Sequence, residues 1–175
     1  MIISKLNLIE PKEYEAILDA IKEIGFPSNY SENDPSTGYY DKHALFEYDA
    51  FSYGVFEGIC ERVLKIAEEE FKTALIIDTA VLIGVIPGNL PEEHADSQNL
   101  DGTPKLGCNN FVVSAVVYLN DGFSGGDLVF PKAGYRYKPR AGSCVIFPSN
   151  LPYSHYVDSV LEGERLSLAI WFSQI

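Results

Sequence analysis

The sequence predicts an α+β chain, mainly β: a double-stranded β-helix (a jelly roll, or cupin-like barrel) with N-terminal helices packed on one outer face. Three features predict it. Apolar residues recur at helical spacing in two segments near the start of the chain. From about Thr79 the chain changes to short β-rich runs. Gly, Pro and Asn punctuate those runs too closely to leave room for crossover helices. That last pattern belongs to antiparallel sandwiches and barrels rather than to alternating βαβ units.

Taken in order, the first helix is expected in PKEYEAILDAIKEIG, where Tyr14, Ile17, Leu18, Ile21 and Ile24 form one stripe. Pro11 suits its first turn and Gly25 its C-terminal cap. A second stripe, Phe56, Ile59, Cys60, Val63, Ala67 and Phe71, runs through VFEGICERVLKIAEEEFK. Between them, PSNYSENDPSTGYYDKHALFEYD is rich in turn formers and tyrosine and reads as one long loop, a solvated His43 within it. The strands expected after it are TAVLIGVI, FVVSAVVYL, GDLVF, GYRYKP, SCVIF, HYVDSV and RLSLAIWFSQ. The last is the most informative. Leu166, Leu168, Ile170 and Phe172 alternate with Arg165, Ser167, Ala169 and Trp171, so an apolar face is expected against the helices and Arg165 in the barrel mouth. An interior arginine needs a partner, either an anionic ligand or an internal Asp or Glu.

Composition bounds the rest. A chain of 175 residues, 46% hydrophobic, can bury one sizeable core, so a single domain over 1–175 is expected, with helical support over about 1–75 and a jelly-roll core over about 79–175. A formal charge of −12 argues against a nucleic-acid partner, since phosphate contacts need clustered Lys and Arg. No apolar run has the length of a membrane span, the first residues lack a leader's apolar stretch, and Cys60, Cys108 and Cys144 are dispersed without a C-x-x-C pair. The expectation is a cytoplasmic domain with reduced thiols.

Metal-capable residues meet in PEEHADSQ, residues 91–98, where His94 and Asp96 would project from one side of an extended segment. The chain has three histidines, and His155, opening the run HYVDSV, is placed to supply a third ligand from a neighbouring strand. Two histidines and one carboxylate make the facial triad of non-haem Fe(II) oxygenases, with three coordination positions open. Arg165 follows His155 by ten residues, a length at which a hairpin can bring the two together.

HADS, then VVYLND with GGDLVFP, then SHYV and GERLSLAIWF, resembles the 2-oxoglutarate and Fe(II)-dependent dioxygenases, in particular their prolyl 4-hydroxylase-like branch. The likeness is strong over roughly residues 79–173 and holds in the helical part only by type. It implies that His94, Asp96 and His155 are iron ligands and that Arg165 takes the distal carboxylate of 2-oxoglutarate, through two parallel hydrogen bonds that lysine could not make. It implies that Ser167 adds a hydroxyl. It also implies that the Tyr118 phenol reaches the same carboxylate; a core tyrosine with another partner is the competing reading. The chain departs from the pattern at Val85 and Ile86, where relatives often carry a tyrosine before Pro-Gly. It departs again at Phe111 and Ser114, where relatives often carry an Arg and a Thr.

The activity so implied is hydroxylation dependent on Fe(II), 2-oxoglutarate and O2, with release of succinate and CO2 and with L-ascorbate as reductant. The substrate it implies is a peptidyl proline, with a free amino acid or other small metabolite as the alternative. The tyrosine-rich segment and SQNLDGTPKLGCNN are the expected lids over it. Two other classes share the ligand set: a zinc hydrolase, which lacks an evident general base here, and a non-catalytic metal-binding barrel.

Overall fold

The computed structural model describes residues 1–25, 30, 31, 34–40 and 42–175. Helix α1 (Pro11–Ile24) begins on the expected proline, with the Glu13 carboxylate accepting from the Glu10 N–H at 2.8 Å, and stops at Gly25, whose φ of 81° a side chain would disfavour. Helix α2 (Lys42–Tyr48) is short, and α3 (Ala50–Phe71) starts on Asp49, which accepts from the Phe51 and Ser52 N–H groups. The strands are β1 (Ile3–Lys5), β2 (Tyr30–Ser31), β3 (Asp34–Tyr40), β4 (Leu75–Val85), β5 (Phe111–Tyr118) and β6 (Ser124–Gly125). They continue with β7 (Leu128–Phe130), β8 (Tyr135–Tyr137), β9 (Cys144–Pro148), β10 (Tyr156–Val157), β11 (Val160–Glu162) and β12 (Arg165–Gln174).

They form a double-stranded β-helix. Its major sheet runs β1-β9-β5-β12-β4-β3-β2, and a minor sheet runs β10-β7-β8, with a further pair β11-β6. Every pairing is antiparallel. The helices cover one face of the major sheet. Ile17, Ile21, Phe56, Ile59, Val63 and Ala67 pack there against Val113, Val117, Leu168, Ile170 and Phe172. Each such fully buried side chain contributes roughly 1.5–3 kcal/mol relative to leaving it exposed. A second apolar layer between the sheets joins Tyr118, Leu128, Phe130, Tyr137, Val145 and Phe147. The alternation of β12 therefore divides as expected, its Leu and Ile toward the helices and Arg165, Ser167, Ala169 and Trp171 toward the space between the sheets. Being central, paired to β4 on one side and β5 on the other, β12 is a rigid platform for those residues.

Two expectations need correction. The segment read as one long loop contains β3 and α2, because the edge of β4 offers β3 a template from Val85 to Leu82 that its own turn-forming composition does not announce. His43 accordingly lies exposed in the first turn of α2, not in a loop. Residues 27–29, 32, 33 and 41 of that segment lie outside the described residues. Strand structure also begins at Leu75, four residues earlier than Thr79, and β1 adds an unanticipated edge beside β9. The three cysteines are unpaired, Cys60 and Cys144 within the helix-side core. No described helix is long and apolar enough to cross a membrane.

Candidate active site

His94, Asp96 and His155 place their ligand atoms within 4.8 Å of one another at one end of the space between the sheets. The backbone causes this. His94 and His155 exchange both main-chain hydrogen bonds across an antiparallel bridge, at 3.0 and 2.8 Å, so their rings stand side by side with centroids 4.6 Å apart. Asp96 is two residues on and shares the face.

Each ring is held in the tautomer a metal ligand needs. The His94 Nδ1–H donates to the Glu92 carbonyl at 3.0 Å, and the His155 Nδ1–H to the Tyr153 carbonyl at 3.1 Å, which leaves both Nε2 lone pairs for the site. His94 Nε2 lies 3.8 Å from Asp96 Oδ1. Burial pushes His155 down to about 4, partly offset by Asp96, so its imidazole is neutral near pH 7. Phe147 and Phe130 wall that ring, with centroids 4.7 and 5.4 Å away. The other oxygen of the carboxylate, Asp96 Oδ2, accepts from the buried Ser114 hydroxyl at 2.6 Å.

The cluster opens on a cavity of about 320 Å³ that runs beneath β12. Arg165 lines it and is 2% exposed. Its Nε donates to the Gly126 carbonyl at 3.1 Å and its Nη1 to the Ser167 hydroxyl at 3.0 Å. Both partners are neutral, and among the described residues no carboxylate pairs with it. The expected alternative of an internal acid is therefore absent there, and burial lowers the pKa of the guanidinium from its ordinary value. The guanidinium keeps further N–H donors for a ligand. Gly126 makes room for it: a Cβ there would stand 3.0 Å from the Arg165 Cδ, at a φ of 68°.

Tyr118 lies fully buried behind Arg165, in the core between the sheets and stacked on Tyr137 at 5.6 Å. The guanidinium sits over its ring, 5.0 Å from the centroid, and its hydroxyl has no hydrogen-bond partner among the described residues. A buried phenol left so is costly, and it suits a site completed by a ligand's oxygen.

Arg165 and His155 do not meet across a hairpin, as the ten-residue spacing suggested. His155 precedes β10 in the minor sheet and Arg165 opens β12 in the major sheet, and the two line the same cavity from opposite walls. The mouth is lined by Thr37 and Tyr39 of β3 with Leu90, Glu92 and Trp171, whereas nothing from residues 97–110 lines the cavity. There Asn99, Asp101 and Thr103 bond to one another and fold the turn on itself.

Ser114 bonds to Asp96 and Gly126 leaves room for Arg165, contacts that motif reading leaves unassigned, although it marks Ser114 as a departure and the glycines, both at positive φ in GG, as part of GGDLVFP.

The two histidines and the aspartate gathered beside the interior cavity of this jelly roll are a donor set that suits one divalent metal ion. Residues 87–173 match the family described as the 2OG-Fe(II) oxygenase superfamily. The human prolyl 3-hydroxylase 3 is 41% identical over 63 residues, 33% of this chain but 9% of that protein, so the chain matches only a small part of its curated relatives. Among solved structures, the viral collagen prolyl hydroxylase of Paramecium Bursaria Chlorella virus-1 superposes with a TM-score of 0.73 at 14% identity, over 99% of this chain and 90% of that one. A Pseudomonas putida prolyl-4-hydroxylase gives 0.63 at 21%, over 99% and 92%. At those identities the two structures speak for the fold. Through residues 87–173 the chain falls within the 2OG-Fe(II) oxygenase superfamily.

Proposed function

We propose that this chain is a 2-oxoglutarate- and O2-dependent hydroxylase that uses non-haem Fe(II) and acts on a peptidyl proline. The observation that carries the reading is Arg165, a buried guanidinium with no carboxylate partner among the described residues, in the cavity onto which the two histidines and the aspartate open. The donor set fits the metal: two imidazole nitrogens and one carboxylate oxygen suit ferrous iron and leave three positions. In this reading His94, Asp96 and His155 hold the iron. Arg165 and Ser167 hold the distal carboxylate of 2-oxoglutarate, and the Tyr118 hydroxyl is its third donor. When bound, iron and cosubstrate supply the power to hydroxylate a C–H bond, the cosubstrate leaving as succinate and CO2. The protein orients both and keeps water out with Phe130, Phe147 and Leu128. L-ascorbate serves as reductant, and the jelly roll with its helical support works as one domain over 1–175.

Proline as the target is supported by the names of the relatives and by the apolar surface that Tyr39, Leu90 and Trp171 offer at the mouth. A zinc hydrolase would give Arg165 no anion to hold. The test is succinate release from 2-oxoglutarate by the Fe(II)-loaded protein, with and without proline-rich peptides, and mass analysis of the peptide for one added oxygen. Succinate formed with Fe(II) and not with Zn(II), together with a hydroxylated proline, is the expected result. Peptides left unmodified while a free amino acid is hydroxylated would replace the substrate. No Fe(II)-dependent succinate at all would overturn the reaction class.

A further inference from the structure

We infer that Ser114, backed by Ser149, is a positioning residue that holds Asp96 to a single-oxygen mode of metal binding. The inference rests on the metal reading above. It begins from the two oxygens of one carboxylate, which have different neighbours. Oδ1 faces the His94 Nε2 across 3.8 Å, on the side where the ligand atoms converge. Oδ2 accepts from the Ser114 hydroxyl at 2.6 Å, a short charge-assisted bond between buried groups. A hydroxyl has one proton. Since that of Ser114 goes to Asp96, the 2.8 Å contact between the Ser114 and Ser149 hydroxyls must have Ser149 as donor. The order is therefore Ser149 to Ser114 to Asp96, each step strengthening the next.

The surroundings tie the two ends together. The Ser149 carbonyl accepts from both the N–H and the hydroxyl of Ser97, the residue after Asp96, each at 3.0 Å. Ser149 N–H in turn donates to the Val112 carbonyl, two residues before Ser114. The carboxylate, its hydroxyl donor and that donor's donor are thus fastened to one another by backbone, and Ser114, Ser149 and Ser97 are all buried. Among the described residues no charged donor bonds to Oδ2, and Phe111, three residues before Ser114, is stacked on Trp171 at 6.0 Å.

The consequence is a coordination count. A carboxylate binding through both oxygens would occupy one of the three positions that a two-atom cosubstrate and O2 require. By holding Oδ2, the Ser114 hydroxyl keeps that position open. Removing it should loosen the metal, because the carboxylate is no longer oriented, and weaken the cosubstrate, because both oxygens can then close on the metal; a hydroxyl with a merely structural role would do neither.

The test uses metal-free protein titrated with Co(II), followed by visible absorption, and then 2-oxoglutarate added to the Co(II) form. Ser114→Ala is expected to lose roughly tenfold or more in Co(II) affinity and to bind 2-oxoglutarate more weakly at saturating metal. Ser114→Thr, which keeps the hydroxyl, is expected to restore both. Ser149→Ala leaves the bond to Asp96 in place and is expected to lose less; it carries the test should Ser114→Ala not fold. Wild-type affinities for both ligands in Ser114→Ala would overturn the inference while leaving the metal reading intact. Failure of the wild type to bind Co(II) would overturn both.

Discussion

Arg165 is a buried cation whose hydrogen-bond partners among the described residues are a carbonyl and a hydroxyl, with the Tyr118 ring beneath it and no carboxylate to answer the charge. As a cosubstrate anchor it should control the affinity for 2-oxoglutarate, because a charged hydrogen bond is worth about 1.5–3 kcal/mol and each 1.4 kcal/mol is about tenfold in binding. Arg165→Ala is expected to raise the 2-oxoglutarate Kd at least tenfold with Co(II) affinity little changed, read by anaerobic titration. A fall in Tm with an unchanged Kd would make the arginine structural. His155 sets a pH dependence. An imidazole titrates near 6.5 in the unfolded chain, while burial holds the folded one near 4. Between those values the unfolded state binds the extra proton, so the metal-free protein loses stability as pH falls from about 6.5 to 4, by up to about 1.4 kcal/mol per unit. Urea midpoints at pH 7, 5.5 and 4.5 should fall more steeply for wild type than for His155→Phe, and parallel profiles would count against the buried neutral histidine.

At the scale of elements, the start of β12 is held by a clamp. Asn120, just after β5, donates through Nδ2 to the Glu164 carbonyl at 2.8 Å and accepts the Leu166 N–H at 2.9 Å. It thereby brackets Arg165 on both sides and continues the β5–β12 ladder past the last strand pair. Asn120→Ala should let that end fray and raise the 2-oxoglutarate Kd severalfold, with Co(II) affinity near wild type, because the triad lies on other segments. The helices supply a contrast. Arg62 of α3 reaches Glu13 of α1 with both Nη atoms, at 3.1 and 2.7 Å, and donates to the Leu8 carbonyl at 2.9 Å. Arg62→Ala is expected to lower unfolding stability by about 1 kcal/mol and to leave both ligand affinities alone. A large Kd change in Arg62→Ala would show that the helical face governs the site more than its packing implies.

For the molecule as a whole, the ligand cluster stands apart from the helix-side core, where the helices pack on the major sheet. In the layer between the sheets, His155 meets Phe130 and Phe147 through its ring and Arg165 lies over Tyr118, contacts that need no metal. Chelating the metal should therefore leave the far-UV CD spectrum unchanged. Adding Co(II) and 2-oxoglutarate back should raise Tm, with linkage giving about 2.7 kcal/mol at one hundred times Kd. Loss of secondary structure on chelation would mean that the metal is structural.

Local chemistry made much of this legible. The stripe on α1, the division of β12 into an apolar face and an Arg-Ser face, and the one-residue gap between His94 and Asp96 are periodicities of 3.6 and 2, which any reader of the chain can extract. The order of motifs pointed to the family for the same reason. The rest needed long-range contact. That His155 stands opposite His94 depends on one bridge across 61 positions, and that Arg165 faces them depends on two sheets closing on each other rather than on a hairpin. Nothing in DPSTGYY announces a strand until the edge of β4 pairs with it. Ser114, Ser149 and Asn120 are small polar residues of the commonest kind. Their roles come from burial beside a carboxylate or a strand end, and burial is a property of packing, which only the tertiary structure decides.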